Sequence, residues 1–131
     1  MSYEATTRDI RVQVEPNFLE EDSSPGQGYY FWAYTVEIAN RGDQTVQLLS
    51  RHWRITDAAG RTQEVRGAGV VGAQPTLSPG ESFRYTSGAP LRTPSGFMRG
   101  SYQMEAEDGQ TFDVAIPAFS LDSPYALRSV N

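Results

Sequence analysis

Hydrophobic and polar residues alternate with a period of two along almost the whole chain. Ile10, Val12 and Val14 alternate with polar neighbours, which predicts a half-buried strand that ends at Pro16. The strongest alternation runs from Tyr29 to Ala39 and predicts a long central strand. One face of that strand carries Tyr30, Trp32, Tyr34, Val36 and Ile38. No window has a sustained 3.6-residue period, so the pattern predicts no long helix.

The rest of the chain repeats this pattern in short segments separated by turn signals. Val46 and Leu48, then Trp53 and Ile55, predict two strand pieces whose inward faces switch near Ser50-Arg51, as a bulge or a bend between sheets requires. Later strands are marked by Phe83 and Tyr85, by Met98, Tyr102 and Met104, and by Phe112, Val114 and Ile116. About seven short strands predict an all-β, antiparallel β-sandwich of the immunoglobulin or fibronectin type III kind. A closed barrel is the alternative.

The length of 131 residues is that of one domain, and no internal repeat or boundary divides residues 1–131. Two segments lie outside the alternating pattern. The first is the acidic loop 17–28, which contains Glu20-Glu21-Asp22, and the second is the tail 122–131. Both are predicted to be flexible, because neither continues the period-two alternation of the strands.

Composition narrows the classes of function. The chain has no cysteine, which excludes disulfides, thiol catalysis and thiolate metal sites. A net charge of −5 and a pI near 4.8 disfavour binding to phosphate backbones, so no nucleic acid partner is predicted. The first residues lack the features of a signal peptide, and no apolar stretch has the length of a membrane span. We therefore predict a cytoplasmic protein without membrane insertion.

Candidate catalytic and metal-binding residues are few. His52 is the only histidine, and its position next to Trp53 predicts that it points to the opposite face, toward solvent or a sheet edge. Ser50, His52 and Asp57 could be drawn as a triad, but no nucleophile sits on a strained elbow. The run Glu20-Glu21-Asp22 could hold a hard cation only if its carboxylates converged, which neighbours in a loop rarely do. We predict no catalytic residue, no cofactor and no metal site.

A glycine-rich segment, Gly67-Ala68-Gly69-Val70-Val71-Gly72, matches the G-x-G-x-x-G pattern of dinucleotide-binding proteins. Pro75 and Pro79 leave no room for the helix that such a site needs. The segment is therefore predicted to be a loop that carries the chain from one sheet to the other and packs its valines against the sandwich end. The alternative is a nest of backbone N–H groups that binds an anion weakly. The candidate residues for that anion loop are Arg66, Gly67, Gly69 and Gly72.

The glycine-rich segment also belongs to a longer signature, which runs from Arg66 to Pro75 and continues through Leu77 to Gly88. This run resembles the ApaG family, also called CorD. The segments 51–57, 100–104 and 116–121 resemble the same family, and the similarity covers nearly the whole chain. The resemblance implies a fibronectin type III-like sandwich in a small bacterial cytoplasmic protein without enzyme activity.

The resemblance also bears on function. Bacterial members are linked to cobalt resistance and magnesium efflux, and related eukaryotic domains resemble protein-interaction modules. We therefore favour a non-enzymatic module that binds a protein partner. One alternative is binding of pyrophosphate or a nucleotide phosphate at Gly67–Gly72, which the family's glycine motif has suggested. Another is direct divalent-metal binding, for which one histidine and no cysteine are poor ligands. The identity of the partner is open, as is the formation of a homodimer through a sheet edge.

Overall fold

Nine β-strands in residues 2–126, the part of the chain that the computed structural model describes, form two antiparallel sheets packed face to face. The strands are β1 (Tyr3–Thr7), β2 (Ile10–Phe18), β3 (Tyr30–Asn40), β4 (Val46–Asp57), β5 (Thr62–Ala68), β6 (Thr76–Leu77), β7 (Ser82–Leu91), β8 (Ser95–Ala106) and β9 (Thr111–Asp122). The first sheet has the order β1-β2-β3-β7. The second has the order β5-β4-β8-β9, and β6 pairs with β4 as well. The predicted β-sandwich is confirmed.

The core lies between the sheets, and β3 contributes its longest row of buried side chains. Every second residue from Tyr30 to Asn40 is buried, in the register that the alternation predicts. Tyr34 forms an aromatic cluster with Trp53 and Phe119 of the opposite sheet, and the Tyr34 and Trp53 rings are 5.2 Å apart. Such large aromatic side chains each remove roughly 150–250 Å² from water when they are buried.

Two strand predictions need correction. β2 does not end at Pro16 but continues to Phe18, which pairs with Trp32. A proline is tolerated there because β1 stops pairing at Val14, so Pro16 lies at an edge where β2 has a neighbour on one side only. The estimate of about seven strands counted β4 twice and missed β1, β5 and β6. These three strands are too short or too polar for their periodicity to stand out.

β4 is one strand rather than two pieces, and it contains a β-bulge. Its pairing with β8 shifts register between Leu48 and Ser50, so Leu49 is one extra residue. The bulge confirms the predicted switch of faces, although the strand stays within one sheet. Because of the extra residue, both Leu48 and Trp53 are buried although five positions separate them.

The acidic loop contains more structure than its composition predicts. Its first two residues belong to β2, and 3-10 turns follow at Glu20–Asp22 and Pro25–Gln27. The Ser23 hydroxyl donates to the carbonyl oxygen of Leu19 (2.7 Å) and accepts from the N–H of Phe31 (2.9 Å), which ties the loop to β3. No helix in residues 2–126 is long and apolar enough to cross a bilayer.

The first residues of the predicted tail are structured. Asp122 closes β9, Ser123 is buried, and the Tyr125 hydroxyl donates to a carboxylate oxygen of Glu20 at 2.5 Å. The remainder of the predicted tail, 127–131, lies outside the described residues.

The hydroxyl groups of Tyr85 on β7 and Tyr102 on β8 form a hydrogen bond that links the two sheets through the core. Both side chains are buried, and burial raises the pKa of each phenol above its ordinary value, so each keeps its proton at neutral pH. Each hydroxyl is satisfied mainly by the other. Removing one therefore leaves the remaining polar group without a partner in an apolar environment.

We expect Tyr85→Phe and Tyr102→Phe each to lower the free energy of unfolding by about 1–3 kcal/mol, because each strands one buried hydroxyl. The double variant should cost clearly less than the sum, since it strands none. Urea unfolding of the four proteins measures this coupling. Additive single effects would show that the two hydroxyls do not depend on each other.

Candidate functional site

The predicted glycine-rich loop is a small hairpin, residues 69–74, that projects from the edge of β4; we call it the glycine hairpin. The Gly69 N–H donates to the Leu49 carbonyl oxygen at 2.9 Å, and Val70 and Ala73 exchange two hydrogen bonds of 2.8 and 2.9 Å. Val71 and Gly72 fill the two-residue turn with positive φ angles, +43° and +82°. This is the type I′ turn, whose twist matches that of paired strands.

The predicted passage between sheets at this loop is wrong, and of the two valines predicted to pack against the sandwich end only Val70 is buried. β5 and β6 lie on either side of the glycine hairpin, and both pair with β4. The chain leaves the second sheet only after Leu77 and enters the first sheet at Ser82, through a turn at Pro79-Gly80. The glycines thus allow an excursion from one edge rather than a crossing.

Two of the glycines lie at close approaches, one to backbone and one to a side chain. A Cβ on Gly69, which has a φ of +63°, would collide with the carbonyl oxygen of Ala73. A Cβ on Gly67 would lie 2.8 Å from the guanidinium nitrogens of Arg51, so this glycine makes room for the arginine. Gly72 has open space around it and is needed only for its φ angle.

Arg51 braces the hairpin from inside the sandwich end. It lies between Tyr102 and Gly67 in the pairing register, and its Nη1 donates to the carbonyl oxygens of Ala68 (3.0 Å) and Gly69 (2.9 Å). Its positive charge also opposes the effect of burial on the pKa of Tyr102. Arg51 is not among the predicted site residues, although a signal was present: after the bulge, Arg51 must share a face with Trp53.

The structure does not gather the four predicted anion-loop residues on one side. Gly67 faces Arg51, whereas Arg66 points to the other face of β5 and is 70% exposed. The amides of Gly69, Val70 and Ala73 already donate to backbone oxygens. Anion binding at this loop stays a prediction.

Arg66 belongs to a second feature, the outward surface of the second sheet around His52, Arg54, Glu64, Arg66 and Arg99; we call it the basic face. In the register, Arg54 lies between Glu64 on β5 and Arg99 on β8, and His52 lies beside Arg66. The Glu64 carboxylate is 3.2 Å from His52 Nε2, 3.5 Å from Arg54 Nε and 3.3 Å from Arg66 Nη2. The hydrogen bonds from His52 and Arg66, together with the charge of Arg54, lower the pKa of Glu64. This carboxylate is therefore ionised at neutral pH.

Ser50, His52 and Asp57 do not form a triad. His52 contacts Glu64, and Asp57 instead accepts from Arg61 Nε at 2.9 Å and from the amides of its own turn. In residues 2–126 no three His, Cys, Asp or Glu side chains come together as a group that could hold a metal ion. The acidic run at Glu20–Asp22 lies exposed on its 3-10 turn.

Comparisons with known proteins agree over most of the chain. A family model described as the ApaG domain matches residues 20–106. The chain is 65% identical over 129 residues to Protein ApaG of Bradyrhizobium sp. (strain ORS 278), which covers 98% of this chain and 99% of that relative. Protein ApaG of Paramagnetospirillum magneticum is 61% identical with the same coverage. The crystal structure of the putative ApaA protein from Bordetella pertussis has a TM-score of 0.87 and 52% identity, covering 90% of this chain and 96% of that one.

We expect Gly69→Ala to destabilise the protein more than Gly72→Ala. Both substitutions place a side chain at a positive φ, which costs roughly 1–2 kcal/mol. Only at Gly69 does the added Cβ also collide with backbone, so the hairpin must open there. Urea unfolding of the two variants checks the order, and equal losses would mean that the contact with Ala73 is not a constraint.

Proposed function

Since the chain belongs to the ApaG family, we propose that it is a non-enzymatic module that binds another protein, with the glycine hairpin as the contact. The hairpin is held at both ends by hydrogen bonds to β4 and is braced from inside by Arg51. Such a preorganised protrusion loses little conformational entropy when it binds, which favours its use in recognition.

The exposed tip of the hairpin carries this proposal. Val71 is 60% exposed and adopts a positive φ, a conformation that β-branched residues almost never take. Both properties work against stability, because asparagine or glycine would fit this turn without strain. An apolar side chain held outward at such a cost is explained if it is buried by a partner.

Arg8 also has a positive φ, but its side chain is used within the protein. Arg8, in the turn between β1 and β2, has a φ of +47°, and its guanidinium lies 4.4 Å from the centroid of the Phe112 ring. A cation–π contact within the protein therefore accompanies the strain at Arg8. Val71 instead directs most of its surface to solvent.

The same proposal accounts for the link to cobalt and magnesium without a metal site in this chain. Cobalt resistance and magnesium efflux, which the ApaG resemblance implies, would depend on a cytoplasmic protein partner rather than on a metal bound to this chain. The module then acts through contact, and its own residues carry out no chemistry.

We expect Val71→Asn to raise the free energy of unfolding by about 1 kcal/mol, because asparagine followed by Gly72 is the preferred pair for this turn. The same variant should recover less of the partner from cells. Loss of the partner from a more stable protein separates binding from folding. A Val71→Asn protein that is more stable and keeps its partner would remove the hairpin tip from the interface.

The contact itself can be mapped with a photoreactive amino acid placed at position 71 in cells. We expect one discrete crosslinked product at this position. Ala59, which is exposed in the turn between β4 and β5, is the matched control and should give none. Identical products at both positions, or none at position 71, would contradict the proposal.

Titrations test the two alternatives, phosphate binding and direct metal binding, separately. If the glycine hairpin binds phosphate, pyrophosphate should shift the amide NMR signals of Gly67, Gly69 and Gly72. If the chain binds metal directly, calorimetry should show heat on addition of Co²⁺ or Mg²⁺. We expect neither response at millimolar ligand, and either response would replace the protein-binding proposal with the corresponding alternative.

A further inference from the structure

The basic face concentrates positive charge on a protein whose net charge is −5. Arg54, Arg66 and Arg99 share it with the carboxylate of Glu64, and Asp113 of β9 lies at its border, in one depression with His52 and Arg66. Three guanidinium groups and the two carboxylates give this surface a local charge of +1, with histidine left out of the count as in the net charge. The sign is opposite to that of the molecule as a whole.

The arrangement within the face leaves one charge without compensation. Arg54 and Arg99 are direct cross-strand neighbours on β4 and β8, and like charges in that position repel. Glu64 lies on the far side of Arg54 and offsets that residue. Arg99 is exposed and makes no salt bridge within residues 2–126. An anionic group placed over the pair would compensate Arg99 and reduce the repulsion between the two arginines.

The backbone beside Arg99 forms a shallow depression that could accommodate such a group. A second bulge shifts the register of β8 and β9 between Met98 and Gly100, and a shallow depression lies there between Arg54 and Arg99. Its lining is completed by small residues, Gly100 and Ala118 among them. Gly100 has no alternative, since a Cβ there would collide with the carbonyl oxygen of His52. Small side chains keep the floor of the depression open to an approaching chain.

We propose that the basic face binds an acidic peptide segment of the protein partner. This inference rests on the proposed function and adds the chemistry of the partner. Arginine forks match carboxylates in two-point hydrogen bonds, and Phe97, 44% exposed on the same strand as Arg99, offers an apolar contact beside them. The negative net charge works against a nucleic acid, whose dense phosphate charge is repelled by the rest of the surface.

The basic face is continuous in sequence with the glycine hairpin. β5 carries Glu64 and Arg66 across the face and then leads into Gly69. A partner that covers Val71 can therefore extend an acidic segment along β5 toward Arg54. The hairpin would supply an apolar anchor, and the basic face would supply charge complementarity, which mainly sets specificity and association rate.

An oligoglutamate peptide is the probe for this proposal, followed by amide NMR of the whole protein. We expect it to shift the signals of Arg54, Arg99 and Ser101, and to bind less tightly as salt is raised. Arg99→Gln should weaken binding about two- to fivefold, the range typical of one exposed ion pair. Arg92→Gln is the matched control, because it removes the same charge from an exposed position in the turn between β7 and β8.

Removing the Glu64 carboxylate should have the opposite effect. Glu64→Gln should tighten binding of the peptide, whereas Glu15→Gln, exposed on the first sheet, should change it little. Equal effects of Arg99→Gln and Arg92→Gln would reduce the binding to net charge and overturn the proposal. Inorganic phosphate or a single-stranded oligonucleotide that shifts the same signals at lower concentration than the peptide would overturn it too.

Failure of this inference can be told apart from failure of the proposed function. If photocrosslinking at position 71 still yields its discrete product in the Arg54→Gln/Arg99→Gln protein, the module binds a partner but not through acidic residues on the basic face. If the product disappears in that protein and persists in Arg92→Gln, both proposals stand. If position 71 gives no product in the unaltered protein, the proposed function itself falls.

Discussion

One extra residue in β4 sets the arrangement of both functional surfaces. If β4 ran as a regular strand without the bulge at Leu49, the alternation that buries Val46 and Leu48 would turn Trp53 toward solvent. With the bulge, Trp53 packs in the aromatic cluster and Arg51 turns inward beneath the glycine hairpin. His52 and Arg54 turn outward for the same reason. The core, the brace and the basic face thus follow from a single shift of register.

The bulge and the glycine hairpin stabilise each other. The Leu49 carbonyl oxygen accepts from the N–H of Gly69 and from the Gln74 side-chain amide at 2.9 Å. A bulged residue usually leaves part of its backbone unpaired, and the two ends of the hairpin supply the missing donors here. The adjacent Leu48 N–H donates to Pro75 on the returning segment. The excursion therefore completes the hydrogen bonding that the extra residue interrupts.

The buried faces of the strands follow from hydrophobic periodicity and could be predicted from the sequence. Which strands pair with each other could not be predicted in this way. The buried face of β3 and the switch of faces in β4 are local patterns, and both were found. The predicted path of the glycine-rich segment was wrong, because no local sequence pattern indicates that β5 and β6 pair with the same strand. The basic face was missed for the same reason. Its residues come from β4, β5 and β8, and only the register brings Arg54 and Arg99 together.

The glycine hairpin also divides the edge of the second sheet. On that side β4 is covered by seven residues of β5 and two of β6, and the hairpin projects between them. An unpaired sheet edge is a template on which a second chain can add a strand, and proteins escape this by keeping such edges short or interrupted. The protrusion leaves an incoming strand no long uninterrupted ladder there. The hairpin that holds Val71 outward thereby also protects this edge against strand-by-strand self-assembly.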